Sequence, residues 1–146
     1  HSIGTGCFIC EIQQSSDVTY RIYDFGRVDS QGRSRQLHVE EAKEAIDYAV
    51  PEAERRREVR VNEPAELVRS PYFTTSVYRL TEPMVCDYSE LDSFVILVCT
   101  AGTCRVACGE EEAVLTAGHT LLVAAEAEDV RLSPEDGDTT LLESYI

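Results

Sequence analysis

The spacing of apolar and polar positions changes character near residue 64. Beyond it, short runs rich in β-branched and aromatic residues follow one another closely: "ELVRS", "YFTTSVYRL", "MVCDY", "SFVILVCT", "TCRVAC", "EAVLTA", "HTLLVAA", "DVRLS" and "TTLLESYI". Turns such as "TAGT", "CGEE", "TAGH" and "PEDGD" separate them. Eight or nine short strands with glycine-containing turns predict an antiparallel sandwich, most simply a jelly roll. No tandem repeat or low-complexity tract interrupts the pattern.

Before residue 64 the pattern is mixed. "CFICEIQ" (7–13) and "TYRIYDF" (19–25) read as strands, joined by "QSSDV", whose short polar side chains favour a turn. "VDSQGR" (28–33) is a second turn, with Gly32 able to take positive φ. In "HVEEAKEAIDYAV", Val39, Ala42, Ile46 and Ala49 recur at helical spacing, and Glu40 and Glu41 suit a helix N-terminus. Pro51 marks the end of that helix. The organisation expected is thus a first part over 1–50, a charged connector over 51–63, and a β-sandwich over 64–146.

The first two predicted strands pose a chemical question. If the turn is centred on Ser16, Arg21 lies opposite Glu11 and Tyr23 opposite Ile9. Glu11, Gln13, Arg21 and Tyr23 then share one face, and Phe8, Cys10, Ile12, Tyr20 and Ile22 the other. One face would pack; the other would offer a carboxylate, an amide, a guanidinium and a phenol. Such a face suits a cavity that takes a polar or anionic ligand. A cross-strand ion pair between Arg21 and Glu11 is the plainer alternative.

Composition narrows the partners. With 13 Lys and Arg against 27 Asp and Glu, the formal charge is −14. That field repels phosphate backbones and anionic lipid, so neither nucleic acid nor a membrane surface is the expected partner. No apolar run approaches the roughly 20 residues needed to span a bilayer. The six cysteines read as small buried hydrophobes and free thiols, which fits a reducing cytoplasm. "CFIC" has the C-x-x-C spacing, yet in a strand residues three apart face opposite sides. His119 in "TAGHTLLVAA" has an apolar residue, Leu121, three positions after Gly118. The basic cluster "ERRREVR" reads as solvated connector. A chain opening on His1, without an initiator Met or a signal peptide, reads as a piece of a longer protein.

One stretch carries more than composition. "HSIGTGCFICEIQQSSDVTYRIYDFGRVDSQGRSRQLHVEEA", residues 1–42, resembles the C-terminal half of the catalytic cupin in bacterial short-form mannose-6-phosphate isomerases. The family pattern runs H-x-[IL]-G-x-G, then E-I-Q-x-x-S-D-x-T-Y-R-x-Y-D-x-x-R, then R-x-L-H-x-x-x-A. The resemblance implies a mainly β fold: a cupin-like jelly-roll β-sandwich, preceded by the last strands of another cupin domain and one short helix. It also implies a zinc-dependent aldose–ketose isomerase that interconverts mannose 6-phosphate and fructose 6-phosphate. His1 matches the last histidine ligand of the family's metal, and Arg21 the arginine that reaches the active centre. The other ligands and the family's lysine would lie upstream of His1. One imidazole does not make a four-coordinate zinc site, so this piece alone is expected to lack zinc and to be inactive.

The chemistry accounts for those residue types. Removing a proton from the carbon beside a carbonyl creates a negatively charged ene-diolate, which a Lewis-acid metal or a fixed guanidinium stabilises. Arginine suits the role because its planar fork stays charged and pairs with oxyanions. The general base, the substrate-binding residues and the oligomeric state are not legible. The C-terminal sandwich lacks the H-x-H metal motif of cupins, so bracing the catalytic part or forming a subunit contact is its expected task. The rival readings are a non-catalytic sugar-binding or protein-interaction module, and a different cupin enzyme such as an epimerase or dioxygenase.

Overall fold

Strand alternation from residue 65 onward decides the architecture. In β4 (Val95–Ala101), Val95, Leu97 and Cys99 are buried while the residues between them are only partly covered. Cys104 and Val106 play the same inward part in β5 (Thr103–Cys108), as do Val130 and Leu132 in β8 (Asp129–Pro134). This period of two is what one packed face of a β-sheet imposes. The computed structural model describes residues 4–16, 18–49 and 58–146.

The remaining strands are β1 (Ala65–Arg69), β2 (Thr74–Leu80), β3 (Met84–Asp87), β6 (Glu111–Thr116), β7 (Thr120–Val123) and β9 (Thr139–Tyr145). One sheet has the order β1-β2-β9-β4-β7, the other β3-β8-β5-β6, and every pairing within them is antiparallel. The inner faces close on a core in which Leu80, Leu97, Leu132 and Leu141 have no exposed surface. Burying each such side chain contributes about 1.5–3 kcal/mol. The antiparallel β-sandwich expected from the strand pattern is present, and each of the runs read as a strand forms one.

Strand β9 sits between β2 and β4 and sets the register of the larger sheet. Thr139 faces Leu80 and Leu141 faces Tyr78 across one ladder, while Leu141 faces Cys99 across the other. Gly102 makes the β4–β5 turn possible. Its φ is +76°, and an added Cβ would lie 2.5 Å from the Asp138 carbonyl oxygen.

Two compact units partition the chain, His1–Cys10 with Arg55–Ile146, and Glu11–Glu54. The second is built differently from the sequence expectation. The segments 7–13 and 19–25 are extended but form no β-ladder among the described residues. A two-stranded ribbon is marginal without further strands. Around Arg21, moreover, the backbone groups a ladder would use are taken by His38. Its N–H donates to the Arg21 carbonyl at 2.7 Å, and its Nδ1 accepts from the Arg21 N–H at 3.2 Å.

The 28–33 turn forms as expected. Val28 bridges to Ser34, Gly32 takes φ +76°, and Asp29 Oδ1 accepts from the N–H groups of Gln31 and Arg33. Helix α1 (Val39–Ala45) begins after His38 with Glu40 and Glu41 in its first turn. It stops well before Pro51, because Ile46 is already extended and Asp47 Oδ1 accepts from the Ala49 N–H. That local bond competes with helix propagation. Among the described residues no helix is long and apolar enough to cross a membrane. The part of the connector over 51–57, which includes most of the basic cluster, lies outside the described residues, as does Asp17.

Candidate functional site

The Arg21 locus is organised by the start of α1. His38 holds the Arg21 backbone from both sides, and the Arg21 guanidinium donates through Nη1 to the Gln36 carbonyl at 3.3 Å. The side chain is half-buried, and a guanidinium has five N–H donors, of which this contact occupies one. Beside it, Asp24 pairs with Arg35 through two hydrogen bonds, one of 2.8 Å from Arg35 Nε. The Arg35 hydrogen bond holds the Asp24 carboxyl below the ordinary range against some desolvation, with Arg21 and Arg27 adding to the effect. Arg21, Arg27 and Arg35 thus surround one carboxylate, a cationic spot in an acidic chain.

The two faces predicted from hairpin register do not form. Without a ladder, Arg21 is not set opposite Glu11. Tyr23 packs edge-on against Phe25 with ring centroids 4.9 Å apart. The expected packing face stays open, with Phe8 73% and Ile22 52% exposed. Cys7 and Cys10 are exposed as well, which corrects their reading as buried hydrophobes; Cys86, Cys99 and Cys104 are buried as expected. His1, the metal ligand implied by the family pattern, lies outside the described residues.

No three His, Cys, Asp or Glu side chains among the described residues come together as a metal site. His119 is exposed and pairs through Nδ1 with Thr116 Oγ1 at 2.9 Å. The described residues therefore do not fit zinc by themselves, and no chemical step is assigned to a metal.

The sandwich holds a second polar centre that the sequence reading missed. Glu143, on β9, is 4% exposed and points into the core side of its sheet. Its Oε1 accepts from the Tyr78 hydroxyl at 3.0 Å and from the Tyr88 hydroxyl at 2.6 Å. Tyr78 belongs to the same sheet, whereas Tyr88 follows β3 of the facing one, so the carboxylate ties the two layers together. Burial pushes the Glu143 carboxyl up, while the hydrogen bonds from Tyr88 and Tyr78 oppose that rise. Burial, then the nearby Glu143 charge, pushes both phenols up as well, so both remain donors. The group borders a cavity of about 390 Å³ whose lining includes Met84, Cys86, Asp87, Glu90, Leu91 and Tyr145. A signal was present in "TTLLESYI": Glu143 has the same strand parity as the buried Thr139 and Leu141.

Comparison with known proteins places these features in context. The AraC-like ligand binding domain family matches residues 78–138, less than half of the chain. A mannose-6-phosphate isomerase of Streptococcus mutans is 31% identical over 99% of this chain and 45% of its own length. The probable mannose-6-phosphate isomerase GmuF of Bacillus subtilis is 42% identical over 54% of this chain and 25% of its own length. The crystal structure of the mannose 6-phosphate isomerase from Bacillus subtilis superposes with a TM-score of 0.62 at 24% identity, over 90% of this chain and 41% of that one. At that identity the superposition speaks for the fold alone. Over nearly its whole length, then, the chain is similar to mannose-6-phosphate isomerases, and it spans about half the length of the Streptococcus mutans relative.

Proposed function

We propose that this chain is the C-terminal portion of a zinc-dependent mannose-6-phosphate isomerase of the short bacterial form. In this reading residues 1–50 complete a catalytic cupin, 51–63 connect, and 64–146 form a cupin-like domain that braces it. The observation that carries the reading is the 31% identity over 99% of the chain to a mannose-6-phosphate isomerase. The substrates would be mannose 6-phosphate and fructose 6-phosphate, interconverted through an ene-diol, with zinc as the metal and His1 as one of its ligands.

Arg21 would act on the reacting sugar. Its backbone is clamped by His38, so the guanidinium is held at a fixed origin instead of on a free loop. From there it can donate paired hydrogen bonds to the oxyanion that develops when a proton leaves the carbon beside the carbonyl. The Asp24–Arg35 pair stiffens the segment between Arg21 and α1. Exposed and buried free thiols suit a reducing cytoplasm, and a charge of −14 disfavours nucleic acid and anionic membranes.

The test joins this chain to the preceding half of the Streptococcus mutans relative and assays conversion of mannose 6-phosphate by a coupled spectrophotometric method. The chimera isomerises the sugar phosphate, whereas the 146-residue chain alone does not. A folded, zinc-loaded chimera without turnover, or full turnover by the chain alone, would overturn the proposal.

A further inference from the structure

We propose that the cavity beside Glu143 is a binding site for a small primary ammonium. The first reason is the carboxylate itself. Both phenols donate to Glu143 Oε1, and no described residue donates to Oε2. Among the described residues no side-chain oxygen or nitrogen is at once fully buried and unpartnered, so Oε2 opens onto the cavity it borders. With Oε1 taken by both phenols, Oε2 is the open acceptor of a residue only 4% exposed, and a ligand bearing N–H groups can donate to it in place of water.

The lining decides the sign of that ligand. Asp87, Glu90 and Glu143 contribute three carboxylates, and neither lysine nor arginine lines the space. Hydrogen bonds from the Ser89 side chain and backbone hold the Asp87 carboxyl below the ordinary range, so the rim stays anionic. A phosphate or carboxylate is therefore repelled. A bare metal ion is disfavoured because these acids and Cys86 do not converge into a three-donor set. Tyr78, Tyr88 and Tyr145 add aromatic surface, and Met84 and Leu91 an apolar wall. An ammonium head on Oε2, with a short carbon chain along Met84 and Leu91, satisfies both halves; aromatic faces also attract cations.

The space of about 390 Å³ fits a ligand of a few heavy atoms with room for water. A neutral polyol is the competing ligand, since hydroxyls can also donate to Oε2, but it leaves the three negative charges uncompensated.

The experiment is an NMR titration of the isotopically labelled 146-residue chain with n-propylammonium chloride, using 1-propanol as the neutral isostere, mannitol as the polyol and sodium chloride as the ionic control. Saturable shifts of the Cys86, Tyr88, Leu91 and Glu143 amides are expected with the ammonium alone. Glu143→Gln keeps an oxygen acceptor for both phenols and removes the charge, so it weakens the ammonium at least tenfold. Glu90→Lys alters only an exposed rim position and also weakens it, which keeps the test decisive should Glu143→Gln fail to fold. Saturation by 1-propanol or mannitol at the same residues would overturn the proposal. So would absence of saturable shifts, or ammonium affinity unchanged in the folded variants.

Discussion

Replacing Tyr88 by Phe isolates the buried hydrogen bond that joins the two layers of the sandwich. Tyr88 is 6% exposed and its hydroxyl lies 2.6 Å from Glu143 Oε1, so the substitution removes one donor and almost no volume. A hydrogen bond to a charged group contributes about 1.5–3 kcal/mol, and that is the loss expected at neutral pH. The pH dependence gives a second, independent reading. Burial raises the Glu143 carboxyl, and the Tyr88 hydroxyl is the stronger of the two bonds that restrain the rise. A carboxyl raised on folding binds its proton more tightly in the native state than in the unfolded one. Its contribution is therefore most favourable below the ordinary glutamate pKa and declines as pH climbs through the folded value. Removing the restraint raises that folded value further, so the deficit of Tyr88→Phe grows between about pH 5 and about pH 7.5. Urea unfolding followed by far-ultraviolet circular dichroism at both pH values measures it through the midpoint and slope. Equal stability of the two proteins at neutral pH would refute the reasoning, and so would a deficit larger in acid.

Other substitutions probe the scaffold. Gly102→Ala places a methyl group 2.5 Å from the Asp138 carbonyl oxygen at φ +76° and costs about 1–3 kcal/mol in a urea melt; an unchanged midpoint would contradict the tight turn. Leu97→Ala opens a void in a fully buried site and costs about 2–5 kcal/mol, again read from the urea midpoint. Thiol labelling at neutral pH modifies Cys7 and Cys10 quickly, because both are exposed. Cys104, pushed up to about 11 by burial, reacts only after unfolding; peptide mapping that found it labelled in the native protein would contradict its environment.

Much of the sandwich was readable because its residues alternate. Val95, Leu97 and Cys99 announce an inward face, and Gly102, Gly109, Gly118 and Gly137 mark the turns that follow β4, β5, β6 and β8. Glu143 escaped because a lone acid between Leu142 and Ser144 looks like surface until the hydroxyls of Tyr78 and Tyr88, remote in sequence, are brought to it by the fold. The first forty residues misled in another way. Their β propensity is genuine, but propensity does not make a ladder without neighbouring strands, and His38 claims the backbone of Arg21. The helix was shortened by a bond that hydrophobic spacing does not encode, that of Asp47 to the Ala49 N–H. Arg21 was singled out by a family pattern, and the hairpin register that also set it on a polar face does not form.

The most direct measurement is the turnover of Arg21→Gln in the chimera that carries the preceding half of the Streptococcus mutans relative. Loss of a transition-state donor lowers kcat by about 10²–10³ while zinc content and unfolding midpoint hold. Turnover at the parent rate, in a protein equally folded and equally loaded with zinc, would remove Arg21 from the reaction and with it the central claim.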